Sequence, residues 1–285
     1  MSVYARRRIA ALCLLALVLG GVYALATRGG GASSAASSAG GTDTTAVAST
    51  GRHGASELAA ALPAGTVALP SVTRGDGPFL VAHGKTLERV RGKAGGQVAL
   101  TFDDGPGPQT LDVLAELQRE HAVATFFVMG SHAAGDPATV KALYDAGMQI
   151  GNHTWTHPQL ARLSASKQLS ELKRTQDEIA SIIGVRPRFY RPPYWSWNYL
   201  TTREGAELGM IGTMFSVDTG DWKKPGTNAI IKAALRARDG DVIAFHDAGG
   251  DRSQTVDSIA PIIVGLRALH LEPVTLDRLY GGTSG

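Results

Sequence analysis

Two short runs in the sequence carry the residue types that bind a divalent metal. The run TFDDGP contains Asp103 and Asp104, whose carboxylates diverge, so one can bind an ion while the other faces water on that ion. The run HTWTH contains His153 and His157, a spacing that places two imidazoles on one side of a helical turn. One carboxylate and two imidazoles leave room for water, which is the open geometry of a catalytic ion. The alternatives are a simple turn and two surface histidines.

Three further runs bear polar side chains. In RPPY, two prolines fix the backbone around Arg191 and Tyr194, as a preorganised site requires, although an ordinary loop is an alternative. DTGDW contains Asp221 and Trp222, and FHD contains His246. A lone histidine after a strand is more often a structural residue than a catalyst. Each of these runs therefore indicates a catalytic site only when its position in the fold is considered together with that of the others.

That position follows from the predicted elements. Short apolar runs alternate with longer amphipathic ones from residue 97 onward, which predicts a largely parallel sheet, either open or closed into a barrel. The predicted strands are Val98–Phe102, Ala124–Met129, Met148–Ile150, Ile211–Val217, Val242–Phe245 and Pro273–Thr275. The predicted helices are Thr110–Glu120, Pro137–Ala146, Ser164–Ile183, Asn228–Ala237 and Thr255–His270. Chemistry in such folds gathers at the carboxyl ends of strands, and all five polar runs fall at such ends, with RPPY following the apolar pair Phe189-Tyr190.

In their order and their residues, the five runs resemble the motifs of the polysaccharide deacetylase family, also called the NodB-homology domain or carbohydrate esterase family four. The resemblance covers residues 97–279, and TFDDGP followed about fifty residues later by HTWTH is specific to the family. It implies an α/β fold, a distorted (β/α) barrel of about seven parallel strands, with one divalent metal in an open groove. Zinc is the expected ion, with cobalt or nickel as alternatives. Asp104, His153 and His157 are the implied ligands, and Asp103 is the implied general base.

The same resemblance implies roles for the remaining site residues. His246, as imidazolium, would donate a proton to the departing amine or hydroxyl, and the backbone N–H of Tyr194 would stabilise the oxyanion. Arg191 would keep the general base ionised and oriented, while Asp221 would raise the pKa of His246. Trp222 would form one wall of the pocket for the acetyl methyl group, and Tyr194 would also contact the substrate.

Two positions depart from the family pattern. Ala244 stands two residues before the histidine of the fifth motif, where leucine is usual, so the methyl pocket is expected to be wider or filled by another side chain. Trp195-Ser196-Trp197 follows Tyr194, where glycine is common. We hypothesise that Trp195 and Trp197 stack on sugar rings; the alternative is that at least one belongs to the core.

The N-terminal part of the chain predicts export. Three arginines precede an uncharged stretch of about 18 residues, Ile9–Ala26, near the lower limit for a membrane-spanning helix. The stretch is either a signal anchor or a signal peptide cleaved near Ala26, and both place the remainder outside the cytoplasm. The predicted organisation is the signal segment (1–26), a disordered Gly/Ser/Ala-rich linker (27–55), an N-terminal extension with a short helix at Ser56–Leu62 (56–96) and one polysaccharide deacetylase domain (97–281).

Charge and cysteine content exclude some partners. Beyond residue 26 the chain holds 25 basic and 25 acidic residues, and a neutral body lacks the basic excess on which nucleic-acid binding depends. Cys13 is the single cysteine of the 285 residues and lies in the signal segment, so a metal in the domain must be held by nitrogen and oxygen. We expect a monomer that contacts the membrane only through its N-terminal segment, if that segment is uncleaved.

The expected function is metal-dependent hydrolytic deacetylation of an extracytoplasmic polysaccharide that contains N-acetylglucosamine, such as peptidoglycan or a chitin-like polymer. An O-acetyl esterase acting on xylan is an alternative on the same scaffold. A phosphoesterase or amidohydrolase would need a larger ligand set, and a third histidine at the expected spacing is missing. A glycan-binding module would have no use for Asp103, Arg191 and His246.

Overall fold

The computed structural model describes residues 80–82, 85–87 and 94–280, the first two ranges by their backbone alone. The predicted signal segment (1–26), the linker (27–55) and the helix at Ser56–Leu62 lie outside the described residues. Within the described residues, every helix is too short or too polar to cross a membrane.

One sheet of ten strands runs through the described part of the chain. Its strands are β1 (Leu80–Ala82), β2 (Lys85–Leu87), β3 (Gln97–Asp103), β4 (Thr125–Val128), β5 (Gln149–Asn152), β6 (Phe189–Tyr190), β7 (Ile211–Thr213), β8 (Val217–Asp218), β9 (Val242–His246) and β10 (Glu272–Val274). Their order is β2-β1-β7-β6-β5-β4-β3-β9-β8, and β10 pairs with β3. Strands β3 to β10 pair in parallel, while β1 and β2 are antiparallel additions beside β7. The predicted parallel α/β architecture is therefore confirmed, with eight parallel strands where about seven were expected.

Helices occupy most of the connections between strands. They are α1 (Thr110–Arg119), α2 (Gly130–Gly135), α3 (Pro137–Asp145), α4 (Ala165–Ile183), α5 (Tyr199–Glu207), α6 (Thr227–Ala234), α7 (Ser253–Ala268) and α8 (Leu276–Leu279). Short 3-10 turns lie at Leu160–Arg162, Pro193–Trp195 and Asp221–Lys223. The five helices predicted beyond residue 96 are confirmed with small differences at their ends, whereas α2, α5 and α8 were not predicted.

The predicted strand Ile211–Val217 was wrong in one respect, because it is two strands. Strand β7 pairs with β6, whereas β8 pairs with β9 at the other end of the parallel section. Between them, the Ser216 N–H donates to the Val242 carbonyl at 2.9 Å and its hydroxyl donates to Asp241 at 2.9 Å. These bonds divert the chain, so a three-residue connection joins two strands that share no ladder among the described residues.

The centre of the sheet is apolar because β3 is covered on both faces. Val98, Leu100 and Phe102 are fully buried on one face, and Ala99 and Thr101 are fully buried on the other. The ring of Phe102 stacks on Phe126 at 4.9 Å and on Phe245 at 5.3 Å between ring centroids. Buried neighbours on three adjacent strands fix the pairing register, since a slip of one residue would turn apolar side chains to the opposite face.

The register brings the polar runs to one edge of the sheet. Asp103, the last residue of β3, lies level with His246, the last residue of β9. Asn152, the last residue of β5, lies level with Tyr190, the last residue of β6. The residues that follow these strand ends therefore emerge side by side at the carboxyl edge of the sheet.

Candidate active site

Asp104, His153 and His157 lie together at this edge. Oδ1 of Asp104 is 3.1 Å from Nε2 of His157 and 3.4 Å from Nε2 of His153. One ligand atom from each of the three residues falls within 4.8 Å of the others, which suits a single metal ion. Burial alone would raise the pKa of Asp104, but the two imidazoles lower it overall, so the carboxylate stays ionised.

The loop that carries the two histidines is not a helical turn, so that prediction was wrong. Residues 153–159 lie outside any helix, and both Thr154 and His157 have positive φ angles of 68° and 59°. The side chain of Asn152 accepts the Thr154 N–H at 2.9 Å and bends the chain immediately after β5. The imidazoles converge because this loop folds back, and the helical spacing of their sequence positions is incidental.

The side chain of Glu171 on α4 holds the same loop from behind. One carboxylate oxygen accepts the N–H groups of Trp155 at 2.9 Å and Thr156 at 2.8 Å, and the other accepts the Thr156 hydroxyl at 2.8 Å. The guanidinium of Arg174, one helical turn further along, lies 4.1 Å from the centroid of the Trp155 ring. Helix α4 therefore positions the histidine loop through contacts that no sequence pattern indicated.

Each candidate ligand histidine has its second ring nitrogen engaged by the RPPY run. Nδ1 of the buried His153 lies 2.8 Å from the carbonyl oxygen of Arg191, so Nδ1 carries the proton and donates it. Nδ1 of the half-buried His157 lies 3.0 Å from the hydroxyl of Tyr194. Both Nε2 atoms are thereby directed towards Asp104.

The third candidate ligand also has a support that sequence analysis missed. Asp104 has a positive φ angle of 80°, which is uncommon for a residue other than glycine. His132, on α2, donates from Nδ1 to the backbone carbonyl of Asp104 at 2.8 Å. A histidine two residues beyond Gly130 has no metal-binding spacing with the other histidines, so only the tertiary structure connects it with the site.

Asp103 forms a buried ion pair with Arg191. The guanidinium donates to the Asp103 carboxylate at 2.8 Å and to the Thr101 hydroxyl at 2.9 Å. Its carbon lies 4.3 Å from the ring centroid of Phe127 and 5.5 Å from that of Phe215. Burial lowers the pKa of Arg191, and the Asp103 carboxylate opposes that fall. This ion pair fixes the position of the Asp103 carboxylate beside the candidate metal ligands.

His246 and Asp221 form a second charged pair. Nδ1 of His246 lies 2.8 Å from one oxygen of the buried Asp221, whose other oxygen accepts the His246 backbone N–H at 2.8 Å and the Thr255 hydroxyl at 2.8 Å. Burial alone would lower the pKa of His246, but the hydrogen bond and charge of Asp221, together with Asp103 and Asp104, raise it to about 9. The imidazole can therefore hold a proton at neutral pH.

The remaining predicted residues differ in how exposed they are. Tyr194 is 65% exposed and Trp222 is 51% exposed, so both offer surface for a substrate. Trp195 is half-buried and packs edge-on against Phe215, with ring centroids 5.1 Å apart. Stacking of Trp195 and Trp197 on sugar rings remains a prediction. Ala244 is buried in β9, so its side chain adds little bulk there.

Arg252 is a further residue that sequence analysis missed. Its buried guanidinium donates to the carbonyls of Ala248 at 2.7 Å, Gly249 at 3.0 Å and Trp222 at 3.5 Å. These bonds tie the loop after β9 to the turn that bears Trp222. Three carbonyls around one buried arginine leave no signal in the sequence, because the acceptors belong to the backbone.

Known proteins are similar to this chain in sequence and in fold. The sequence model of the family described as polysaccharide deacetylase matches residues 91–212. The peptidoglycan-N-acetylglucosamine deacetylase PgdA of Listeria monocytogenes is 35% identical over 205 residues, which are 71% of this chain and 43% of that protein. A chitooligosaccharide deacetylase of Bradyrhizobium is 34% identical over 197 residues, which are 64% of this chain and 90% of that protein.

A solved structure is also similar to this chain. The family 4 carbohydrate esterase from Streptomyces lividans, in complex with acetate, has 36% sequence identity and a TM-score of 0.62, with 64% of this chain and 94% of that chain covered. The chain spans less than half the length of the Listeria relative and nearly the whole length of the other two proteins. On this evidence the chain belongs to the polysaccharide deacetylase family.

Proposed function

We propose that the protein hydrolyses acetyl groups of an extracytoplasmic polysaccharide, and that Asp104, His153 and His157 hold one zinc ion for this purpose. The observation that carries the proposal is the convergence of these ligand atoms within 4.8 Å beside two separate charged pairs. The Asp103–Arg191 pair supplies a proton acceptor and the Asp221–His246 pair supplies a proton donor. An adhesion module would need neither pair.

The donor set fits a zinc-type ion. When Nδ1 of an imidazole donates its proton, as His153 does to the Arg191 carbonyl, Nε2 presents a lone pair. When both imidazoles are neutral and protonated at Nδ1, two such lone pairs would face the Asp104 carboxylate, and no proton would lie between the three acceptors. A divalent cation would satisfy all three acceptors, and nitrogen and carboxylate ligands are those that zinc accepts. Three protein ligands leave the position for water that catalysis requires.

An ion held by these three residues would polarise the acetyl carbonyl and make a nearby water molecule easier to deprotonate. Asp103 would accept the proton that the attacking water releases, held for this task by Arg191 at 2.8 Å. The backbone N–H of Tyr194 would donate to the oxygen that becomes negative in the transition state. His246 would then protonate the departing nitrogen, so that water and an N-acetyl group yield an amine and acetate.

The substrate is proposed to be a glycan of the cell envelope that contains N-acetylglucosamine. The relatives named above are deacetylases of peptidoglycan and of chitooligosaccharides. The stretch Ile9–Ala26 would hold the enzyme at the outer face of the membrane, or would be removed near Ala26 on export. The intervening linker of about 25 to 30 residues would let the domain reach material near that surface.

The test is acetate release by the purified full chain from acetylated chitooligosaccharides, peptidoglycan and acetylated xylan. Each assay is run before chelation, after chelation and after zinc is restored, with the Asp103→Asn variant as a matched control. We expect release from the N-acetylated glycans that chelation abolishes and zinc restores. Release that survives chelation would refute the metal site, and release from xylan alone would identify an O-acetyl esterase. Glycan binding with no release would identify a binding module.

A further inference from the structure

The hydroxyl of Tyr194 contacts a candidate metal ligand through a bond that the proposed chemistry does not use. In that chemistry Tyr194 contributes its backbone N–H, whereas its side chain reaches back to His157. The two rings also meet edge to face, with centroids 4.6 Å apart and an interplanar angle of 70°. Tyr194 thus has two separate links to the site: its backbone N–H in the proposed chemistry, and its hydroxyl through the contact with His157.

The two histidines differ in how firmly they are held. His153 is 3% exposed, and its Nδ1 partner is the backbone carbonyl of Arg191, the residue directly after strand β6. His157 is half-buried, and its Nδ1 partner is the side chain of a residue that is itself 65% exposed. The orientation of His157 therefore depends on a side chain that a single substitution can alter, whereas that of His153 does not.

The direction of the His157 bond decides which ring nitrogen is free. If Nδ1 donates to the phenol oxygen, Nε2 is left with a lone pair facing Asp104, 3.1 Å away. Without a partner at Nδ1, the neutral ring can instead place its proton on Nε2, where it would have to leave before a metal could bind. Hydrogen-bonded partners of ligand histidines generally act in this way, by fixing the tautomer and orienting the ring.

The backbone holds Tyr194 where its phenol can reach. Tyr194 and Trp195 both have positive φ angles, 58° and 56°, in the turn Pro193–Trp195, which begins at the second of two prolines. Two consecutive residues other than glycine in this region are uncommon, and such strain persists only where the surroundings impose it. In this conformation the side chain of Tyr194 turns towards the histidine loop instead of extending freely into solvent.

We propose that the Tyr194 hydroxyl is a positioning group for the metal site: it accepts the Nδ1 proton of His157 and holds Nε2 ready for the ion. The inference rests on the proposed function, because it presupposes that the three candidate ligands bind a metal. It assigns to one tyrosine a contribution to zinc affinity that is separable from its backbone contribution to catalysis.

The experiment measures the zinc dissociation constant of the full chain by competition with a chromophoric chelator. Tyr194→Phe removes the hydroxyl while the ring contact and the backbone N–H remain. We expect zinc binding to weaken about tenfold, at the lower end of the usual effect of such partners, because water can partly replace an exposed hydroxyl. At saturating zinc, kcat should change less than the zinc affinity does.

Tyr144→Phe is the matched control, since it makes the same chemical change at an exposed tyrosine of α3 outside the site. A Tyr194→Phe dissociation constant within twofold of the unaltered chain would overturn the inference, whatever happens to activity. If the unaltered chain binds zinc but releases no acetate, the proposed activity fails and the inference is judged on zinc affinity alone. If the unaltered chain does not bind zinc, both the metal site and this inference are wrong.

Discussion

Two adjacent aspartates at the end of β3 are separated into different environments by the backbone. Asp103 still belongs to the strand and pairs with the buried Arg191, whereas Asp104 lies one residue beyond it and has a positive φ angle. Successive side chains of a strand point to opposite sides, and Asp104 also leaves the extended backbone of β3, so the two carboxylates have different partners. One carboxylate can therefore contact a metal while the other stays free to accept a proton.

Asp103→Asn tests this division. We expect kcat to fall by about 10²- to 10⁴-fold, the usual contribution of a general base, while the zinc dissociation constant changes little. The melting temperature should also fall, because Arg191 loses its buried counter-charge. Activity is therefore compared at a temperature where circular dichroism shows the variant folded. Asp104→Asn is the companion variant, for which weaker zinc binding is expected. Normal turnover by Asp103→Asn would refute the assignment of the base.

The Asp221–His246 pair predicts a pH dependence. The pKa of His246 is raised from 6.5 to about 9, so the proton is retained at neutral pH and lost as pH rises through about 9. The same shift stabilises the fold most fully below pH 6.5, and that stabilisation disappears as pH rises through about 9. Asp221→Asn removes the charge that, with its hydrogen bond, opposes desolvation of the imidazolium.

For Asp221→Asn we expect the alkaline limb of kcat/KM to move to lower pH by about one unit, since a charged hydrogen-bond partner is lost. Rate profiles between pH 6 and 10 at saturating zinc measure the limb. Urea unfolding of the metal-free protein, at pH 6.5 and pH 9.5, measures the linked stability, which should depend less on pH in the variant than in the unaltered chain. An unchanged alkaline limb would show that His246 is not the acid.

At the scale of elements, helix α4 is the support of the histidine loop. Its residue Glu171 accepts three hydrogen bonds from Trp155 and Thr156, two of the three residues between the candidate ligands. Two residues of the loop, Thr154 and His157, have positive φ angles, so the loop would not keep its shape by local preference. The loop is therefore held by tertiary hydrogen bonds to a helix that follows it in the chain.

Glu171→Ala removes all three bonds. We expect a loss of about 1 to 3 kcal/mol in the free energy of unfolding, because polar groups of the loop lose their partners. Zinc affinity should fall as well, since both histidines would sample other orientations. Urea unfolding and the chelator competition measure the two effects. Glu178→Ala, two turns further along α4, is the control and should change neither quantity. Unaltered zinc affinity in Glu171→Ala would show that the loop holds its own shape.

At the scale of the molecule, the site is assembled by the register of a parallel sheet. Asp103 lies level with His246 because β3 and β9 pair directly, although more than 140 residues separate them. Strands β4, β5 and β6 place the histidine loop and Arg191 next along the same edge. A metal that joins Asp104 to the histidine loop would therefore link segments that are held together only in the folded state.

This linkage predicts that zinc stabilises the fold. An ion that binds the native protein alone adds about 2.7 kcal/mol when its free concentration is one hundred times its dissociation constant. Thermal unfolding of the metal-free full chain, with and without added zinc, should show a corresponding rise in melting temperature. Asp104→Ala should unfold at the same temperature with or without zinc. A zinc effect of equal size in that variant would place the binding elsewhere.

Most elements of the fold could be predicted from the sequence. Apolar runs such as Val98–Phe102 and amphipathic runs such as Ser164–Ile183 reveal their type locally, because hydrophobic periodicity reflects which face each element buries. The split between β7 and β8 could not be predicted, since it depends on hydrogen bonds from Ser216 to residues of the distant strand β9 and the loop before it.

The same distinction applies to the site. The sequence by itself indicated a site of one carboxylate and two histidines at predicted strand ends, and its resemblance to the family implied Asp104 as the carboxylate ligand and the two charged pairs. Only the tertiary structure decided that the histidine loop is not helical, that Glu171 supports this loop, that His132 donates to the Asp104 carbonyl, and that Tyr194 contacts His157. Those contacts join residues far apart in the chain or involve backbone carbonyls, which every residue has, so no residue type or spacing reveals them.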